Sequence, residues 1–331
     1  TSTRAGNFAV QNADFILSIG TRLDSHEVGN DRSSFAPHAF KAMVDSDPSE
    51  IRKFEDGSLG LDIGINMETR AFLGWAESEQ GLQPHTEDAE WEKFISWLQV
   101  THPPCTQADR LQDVGVNPYF FMKILSQALP ASSIVIPDCG SNLIWTMQGL
   151  RLSDSRQRLF SAWNHSPMGY ALPAAIGASV AASDRSVVCI TGDGGLQMNV
   201  QDLATVERMS LPIKIFVMNN HGHGIVQGTQ DQWLQARHVA SNFEGGLPDP
   251  DYVKVASAYG LPTMTMSTNL EVEASLAAFL HSDGPNVCVV EMLPGSQIAP
   301  KLTAGAAFHD LSPRISPQLV AQSLKFAATE T

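Results

Sequence analysis

Short apolar runs alternate with amphipathic stretches along most of the chain. An apolar run bounded by Gly, Pro or Asp is typical of a buried strand, and apolar residues spaced three or four apart are typical of a helix. The strands predicted in this way are residues 14–20, 41–46, 62–65, 134–136, 159–162, 186–191, 213–218, 263–266 and 286–292. The predicted helices are residues 67–75, 91–98, 118–128, 141–148, 168–182, 196–209, 251–259 and 270–281. Strands that alternate with helices predict parallel sheets.

The predicted elements divide into two α/β domains. Residues 1–80 hold too few strands for a complete nucleotide-binding-like domain, which has about six, so this stretch is interpreted as part of a middle domain. Residues 81–116 are polar and contain several prolines, which indicates a linker. Residues 117–331 predict a doubly wound parallel sheet, which binds ligands beyond the carboxyl ends of its strands. The chain opens without an initiator Met, and we expect a further segment upstream.

Composition narrows the range of partners and compartments. The chain has 21 Lys and Arg against 35 Asp and Glu, a formal net charge of −14, which argues against nucleic acid and anionic membranes as partners. No apolar run reaches the roughly 18 residues that a membrane span needs. The four cysteines lack metal-ligand spacing and are too sparse for a disulfide framework. Free thiols fit a reducing cytoplasm.

A glycine-rich turn with one carboxylate follows the predicted strand 186–191. Its sequence is Gly192-Asp193-Gly194-Gly195, and a predicted helix comes next. Glycines allow the backbone to approach an anion, and the free N–H groups of a helix N-terminus can bind it. Because Asp193 would repel a phosphate, a divalent cation between the two would reconcile them. Taken alone, the same residues also fit an ordinary turn.

The next strand ends in a pair of amide side chains, Asn219-Asn220. Neighbouring parallel strands end at the same edge of a sheet, so Asp193 and Asn220 can converge on one ion, and the carbonyl of Gly222 can join them. Mg²⁺ takes a few protein oxygens and completes its shell with phosphate and water. The spacing therefore favours a magnesium–phosphate site.

Several segments resemble thiamine-diphosphate enzymes of the acetohydroxyacid synthase type. Gly192-Asp193-Gly194 followed by Asn219-Asn220 is similar to that family's diphosphate–metal motif. The similarity extends through residues 192–220, and it includes MGYALPAAIGA at 168–178 and DCGSNLIW at 138–145. Residues 7–50 resemble the second half of the family's middle domain. The resemblance implies the thiamine-diphosphate-binding fold, preceded by part of a second α/β domain.

The resemblance also implies a role for each matching residue. Asp193, Asn220 and the Gly222 carbonyl would bind Mg²⁺. The diphosphate would lie against Gly140, Ser141, Asn142, Gly192, Gly194, Gly195, His223, Gly224 and Ile225. Met168 matches the bulky residue that holds the cofactor in its bent form, and the Ser166 carbonyl matches the acceptor for the aminopyrimidine. Without the flanking motif, Met168 would be interpreted as a core residue at a helix start.

Two departures from the family pattern bear on activity. The family's activating glutamate lies on a separate N-terminal pyrimidine-binding domain, and no residue of this sequence fits that role. We therefore expect that segment from the same polypeptide or from a partner chain, in a homodimer or homotetramer. Thr229 stands where synthases of branched-chain precursors have Trp, so a larger acceptor than a small 2-keto acid becomes reasonable. His165 is a further substrate candidate, although single histidines are more often structural.

Alternatives stay open at this point for both the cofactor and the reaction. In acetohydroxyacid synthases the middle domain holds FAD, and Gly20, Arg22, Asp24 and Asp45 match positions at its edge, so FAD is a candidate. The leading hypothesis is a carboligase that decarboxylates pyruvate or a related 2-keto acid and joins it to a carbonyl acceptor. Other hypotheses are a simple 2-keto-acid decarboxylase, a non-catalytic subunit with the same fold, and a metal–nucleotide binding module.

Overall fold

The structure is a computed structural model that describes residues 2–78, 89–163, 165–303 and 305–325. Two 3₁₀ helices lie at Arg32–Ser34 and Val200–Asp202. The α-helices are α1 (Arg4–Asn12), α2 (Ser25–Val28), α3 (Pro48–Arg52), α4 (Thr69–Ala76), α5 (Ala89–Thr101), α6 (Gln107–Arg110), α7 (Pro118–Ala128), α8 (Ser141–Gly149), α9 (Ala171–Ala181), α10 (Asp193–Met198), α11 (Leu203–Arg208), α12 (Gly224–Trp233), α13 (Tyr252–Ala258), α14 (Asn269–Leu280) and α15 (Pro317–Ser323). The strands are β1 (Phe15–Ile19), β2 (Phe40–Asp45), β3 (Ile63–Asn66), β4 (Ile134–Pro137), β5 (Arg158–Leu159), β6 (Val187–Gly192), β7 (Ile213–Asn219), β8 (Thr263–Met266), β9 (Asn286–Glu291), β10 (Lys301–Leu302) and β11 (Leu311–Ser312).

The chain forms two compact units. Unit 1 comprises Thr1–Pro104 together with Ala299–Thr331, and unit 2 comprises Cys105–Ile298. The sequence-based boundaries assign residues 299–331 to the second domain, and the structure corrects this. Within the described ranges, no helix has both the length and the apolar character needed to cross a membrane.

Unit 1 is built on a three-stranded parallel sheet in the order β1-β2-β3. β2 is the central strand and is almost completely buried, whereas β3 at the edge is largely exposed. Met43 of β2 packs in a core with Phe35, Phe54 and Phe308. The three predicted strands of this region are present.

The C-terminal segment joins unit 1 because its carbonyls accept hydrogen bonds from buried polar side chains of α1. Asn7 donates to the carbonyl of Phe308 at 2.7 Å, and Asn12 donates to the carbonyl of Ser323 at 2.7 Å. Arg4 donates to the carbonyl of Leu311 at 3.3 Å. Buried polar side chains need such partners, so α1 holds the end of the chain. Sequence patterning does not reveal this pairing, since the partners lie at opposite ends of the chain.

Unit 2 is built on a six-stranded parallel sheet in the order β5-β4-β6-β7-β9-β8. All residues of β4 and β7 are buried, as expected for strands covered on both faces. One core contains Phe121, Trp145 and Phe216, and a second contains Leu172 and Ile215. The six strands predicted for this region are present, so the doubly wound parallel sheet is confirmed.

Several element boundaries differ from the sequence-based prediction. The predicted helix 196–209 is divided into α10, a 3₁₀ turn and α11, because the amide of Asn199 donates to the carbonyl of Gly169 instead of facing solvent. The predicted helix 168–182 begins only at Ala171, and α12 was not predicted. Residues 81–88 of the predicted linker lie outside the described residues, and its predicted helix corresponds to α5.

Candidate functional site

The site lies at the carboxyl edge of the unit 2 sheet. β5 lies on one side of β4 and β6 on the other, so the direction in which strands are added reverses at β4. Doubly wound sheets bind ligands at such a reversal, because the connections leave a crevice there. The loops after β4, β6 and β7 border this crevice.

A cavity of about 260 Å³ occupies this edge. Every residue that the sequence analysis assigned to thiamine diphosphate or its metal lines it. These residues are Gly140, Ser141, Asn142, Ser166, Met168, Gly192, Asp193, Gly194, Gly195, Asn220, Gly222, His223, Gly224 and Ile225. Four further residues, which the sequence analysis did not assign to the site, complete the lining: Cys139, Trp145, Met218 and Val226.

Asp193 places a buried carboxylate at the start of α10. One oxygen accepts from the N–H of Gly194 at 2.6 Å and the other accepts from the N–H of Gly222 at 2.7 Å. Burial raises the pKa of the Asp193 carboxyl, and these two hydrogen bonds oppose the shift. A carboxylate has about four acceptor positions, so two donors leave capacity for a cation, which would also offset the cost of burying the charge.

Asn220 has an amide nitrogen without a partner. Its Nδ2 atom is buried and makes no hydrogen bond within the described part of the chain. Buried polar groups are normally satisfied, so an orphaned amide in a cavity indicates a ligand from outside the chain. Asn220 and Asp193 both line the cavity, and the Asp193 carboxylate bonds the backbone of Gly222. The arrangement fits a hard cation with an anionic ligand.

Two helices, α8 and α12, begin at residues that line the cavity. α8 begins at Ser141, and Gly140 before it has a φ of +85°, which favours glycine. α12 begins at Gly224, where a Cβ would come within 2.8 Å of the Asn220 Nδ2 atom and 3.0 Å of the Ser141 hydroxyl. The N-terminus of a helix attracts phosphate groups through these N–H groups and the helix dipole.

Asp138 is a buried carboxylate that links three segments of the cavity wall. It accepts hydrogen bonds from the N–H groups of Gly169 and Tyr170 and from the hydroxyl of Thr191, at 3.0 to 3.2 Å. Burial raises the pKa of the Asp138 carboxyl. The residue is 1 % exposed, so it acts on the cavity through the segments it holds. Its position at the end of an apolar strand was the available sequence signal.

Met168 lies in a turn before α9 and is 41 % exposed. Ser166 and Gly169 on either side have φ values of +40° and +87°, so this turn has a fixed and unusual shape. A Cβ on Gly194 would come within 3.1 Å of the Met168 methyl and would collide with the ring of His223. The glycine therefore allows both side chains to lie over the start of α10.

The two candidate substrate residues lie outside the cavity lining. His165 is exposed, and Asn164 beside it lies outside the described residues. Thr229 is exposed on α12, and its hydroxyl donates to the carbonyl of Ile225 at 3.0 Å. Ile225 and Val226, one turn earlier on the same helix, do line the cavity. The substrate roles of Thr229 and His165 stay predictions.

The suggested cation ligands are oxygen atoms of different chemical groups. Across the described residues, no group of three or more His, Cys, Asp or Glu side chains could hold a metal ion. One carboxylate, one amide and one backbone carbonyl do not form such a group, but they are the oxygen ligands that Mg²⁺ accepts when phosphate and water complete its shell.

Both units match family models of thiamine pyrophosphate enzymes. Residues 138–290 match the C-terminal thiamine pyrophosphate binding domain, and residues 1–67 match the central domain. The first match includes every residue that lines the cavity.

Curated relatives agree with these matches. The chain is 32% identical over 314 residues to the acetolactate synthase isozyme 2 large subunit of Escherichia coli, covering 95% of this chain and 54% of that protein. It is 30% identical over 312 residues to a probable acetolactate synthase 2 from Oryza sativa, covering 92% of this chain and 46% of that protein. The chain thus spans about half the length of the curated relatives it matches. With both units matching and the motif residues gathered in one cavity, the chain belongs to the thiamine pyrophosphate enzyme family.

Proposed function

We propose that the chain binds thiamine diphosphate with Mg²⁺ and takes part in a carboligase reaction of the acetolactate synthase type. The observation that carries the proposal is the cavity at the unit 2 sheet edge, where a buried carboxylate and an orphaned amide lie beside two helix N-termini. The named activity of the relatives supports the reaction type.

In this proposal, the carboxylate of Asp193, the amide oxygen of Asn220 and the carbonyl of Gly222 would hold Mg²⁺. The negative charge of Asp193 attracts the cation, and the cation in turn allows a diphosphate to lie near a carboxylate. The residues that would hold the diphosphate are the backbone of Gly140, Gly192, Gly194, Gly195, His223, Gly224 and Ile225, together with Ser141 and Asn142. The free N–H groups at the starts of α8 and α12 are its expected donors.

Ser166 and Met168 would orient the reactive end of the cofactor. The turn that carries them is held by the bonds from Gly169 and Tyr170 to Asp138, and the carbonyl of Ser166 would accept from the aminopyrimidine. Thiamine diphosphate, when bound, supplies the electron sink for decarboxylation of a 2-keto acid. The largely apolar wall formed by Trp145, Met218 and Val226 limits water around the reacting groups.

We also propose that a pyrimidine-binding segment completes the site, from the same polypeptide or from a partner chain, in a homodimer or homotetramer. No glutamate is among the described residues that line the cavity. Beyond it, α12 and the following loop expose apolar side chains: Trp233, Leu234, Val239 and Phe243 are 53 to 69 % exposed. Exposed apolar groups of this kind mark interaction surfaces.

The experiment that tests the proposal is calorimetric titration of the chain with thiamine diphosphate, with and without Mg²⁺, followed by product analysis with pyruvate in the presence of the pyrimidine-binding part. Mg²⁺-dependent binding and a ligated ketol are the expected results. Free aldehyde as the sole product would favour the simple decarboxylase, and binding without turnover would favour a non-catalytic subunit. ATP–Mg²⁺ binding in place of thiamine diphosphate would contradict the proposal.

FAD in unit 1 stays a prediction with weaker support. Arg22 is bonded to Glu50 at 2.9 Å, and Asp24 caps α2, so both side chains have partners within the unit. The flavin absorption spectrum of the purified protein would decide the question.

The four free cysteines are consistent with the proposed cytoplasmic location.

A further inference from the structure

His221 lies between the two proposed metal ligands Asn220 and Gly222, and two carboxylates contact its ring. Its Nδ1 atom is 2.8 Å from an oxygen of Asp249, and its Nε2 atom is 3.2 Å from an oxygen of Glu291. The three side chains are about one-third exposed. Asp249 precedes α13 and Glu291 ends β9, so the contacts join the loop after β7 to two separate segments.

The backbone of this loop has an unusual conformation that needs support. His221 has a φ of +57°, in the left-handed region that disfavours most side chains. Such conformations persist where surrounding contacts determine them. Glu291 also accepts from the amide of Asn219 at 3.0 and 3.2 Å, so one carboxylate holds both Asn219 and His221.

The other hydrogen bonds of this loop involve the residues next to His221, so His221 itself is held mainly through its ring. The carbonyl of Ser241 accepts from the N–H of His223 at 2.9 Å, and Asp193 accepts from the N–H of Gly222 at 2.7 Å. The N–H of His221 lies 3.4 Å from the Asn219 side chain, which is a long contact. The contacts of the His221 ring are therefore the shortest contacts that hold this residue, which connects the proposed ligands Asn220 and Gly222.

We propose that Asp249, His221 and Glu291 form a clamp that positions the metal-binding loop, so that the Asn220 side chain and the Gly222 carbonyl are oriented before the cation arrives. The inference rests on the proposed function of this loop. His221 is a positioning residue in this scheme, since it connects the ligands and is not one of them. Partners outside the ligand shell commonly determine metal affinity in this way, because they fix the ligands' orientation.

A charge effect is the competing explanation, and it makes a different prediction. Asp249 and Glu291 could attract a cation through space without any contact to His221. In that case, removal of the imidazole would leave Mg²⁺ affinity unchanged or raise it, and losses from separate substitutions would add. A clamp acts through one chain of contacts, so once His221 is removed, loss of Asp249 should have little further effect.

The test is a double-mutant cycle on the Mg²⁺ dissociation constant, measured by calorimetry in the full chain with saturating thiamine diphosphate. The variants are His221→Gly, Asp249→Asn and the double substitution. Glycine accepts the positive φ, so His221→Gly removes the side chain without adding backbone strain. We expect each single variant to bind Mg²⁺ about 10- to 100-fold more weakly and the double variant to be no weaker than the weaker single.

The control variant is Asp154→Asn, which makes the same charge change at a carboxylate that pairs with Arg156 in unit 2. It should leave Mg²⁺ affinity unchanged. Additive losses, or unchanged affinity in His221→Gly, would overturn the clamp while leaving the proposed function intact. If the unsubstituted chain shows no Mg²⁺-dependent binding of thiamine diphosphate, the proposed function and the clamp both fail.

Discussion

The two units end their parallel sheets in similar polar residues, but these side chains differ in whether they have hydrogen-bond partners within the described part of the chain. In unit 1, Asp45 accepts from the N–H of Asp47 at 2.8 Å, and Asn66 donates to the carbonyls of Asp45 and Ser46 at 3.0 Å. In unit 2, the Nδ2 atom of Asn220 is buried and has no hydrogen-bond partner among the residues that the structure describes. The comparison teaches that unused hydrogen-bonding capacity distinguishes a ligand site from an ordinary strand end.

Burial sharpens the same contrast. Asp193 is 5 % exposed in a cavity, and its pKa is raised because burial disfavours the charged form. In unit 1, Arg22 and Lys53 surround Glu50 and lower the pKa of its carboxyl, so its charge is already compensated. A cation site contains a buried carboxylate with few compensating positive charges nearby. In a structural ion pair, by contrast, the positive charge of a neighbouring side chain already compensates the carboxylate.

The largest expected effect comes from removing the carboxylate that makes the two edges differ. We expect Asp193→Ala to abolish Mg²⁺-dependent binding of thiamine diphosphate. Mg²⁺ affinity should fall more than about 100-fold, because the loss of a direct metal ligand weakens binding more than the loss of a residue that only contacts a ligand. Calorimetry measures this. The matched control is Asp45→Asn at the unit 1 edge, which should leave binding unchanged. Equal losses in both variants would remove the distinction between the edges.

The next effect concerns stability and tests whether Asp138 holds the cavity wall of unit 2. Asp138→Ala leaves the N–H groups of Gly169 and Tyr170 without their acceptor, whereas the Thr191 hydroxyl keeps its contact with the Gly192 carbonyl at 3.2 Å. We expect a loss of about 2 to 4 kcal/mol in the free energy of unfolding of unit 2, because unsatisfied buried donors cost about 1 kcal/mol or more each. Urea unfolding followed by hydrogen exchange in α9 measures it. A loss below about 1 kcal/mol would show that the wall does not depend on Asp138.

Buried titratable groups of the two units should also respond oppositely to acid. In unit 1, burial lowers the pKa of His102 to about 4, and burial also lowers the pKa of His309. The unfolded chain then binds the proton more readily, so this stability is complete above about pH 6.5 and is lost as the pH falls toward 4. In unit 2, the raised pKa values of Asp138 and Asp193 have the opposite sign: their stabilising contribution is lost as the pH rises through the folded-state pKa.

We expect unit 1 to lose about 1 to 2 kcal/mol between pH 7 and pH 5 through His102, after allowance for partial hydration. Hydrogen exchange in α1, corrected for the intrinsic rate at each pH, measures it. His102→Gln should flatten the dependence, since the titrating ring is gone. A dependence that survives this substitution would assign the effect to other groups.

The features that could be predicted from the sequence are those whose contacts join residues close together along the chain. The apolar strands were predicted, and most of the residues that line the cavity were predicted from the resemblance of loop motifs, because strand ends and loop motifs are local in sequence. The pairing of α1 with residues between Phe308 and Ser323 was not, since Asn7 and Phe308 lie at opposite ends of the chain. The break between α10 and α11 was missed for a related reason: the bond from Asn199 to Gly169 overrides a continuous helical pattern. The orphaned state of Asn220 is visible only in three dimensions.

The smallest expected effect concerns the rim of the unit 2 site. Thr229 is exposed one turn beyond Ile225 on α12, and its hydroxyl bonds the Ile225 carbonyl. Residues four apart share a helix face, so an indole introduced by Thr229→Trp would reach toward the part of α12 that lines the cavity. Lost volume there should shift acceptor preference toward small 2-keto acids by roughly tenfold, a size typical of apolar pocket changes. Competing acceptors in one assay, with the ketol products quantified, measure the shift. Thr229→Val is the control, because it removes the hydroxyl while it nearly conserves volume, and it should leave the preference unchanged. If the acceptor ratio is the same in all three proteins, residue 229 does not face the acceptor, and the rim of the site must be sought in the segment that completes it.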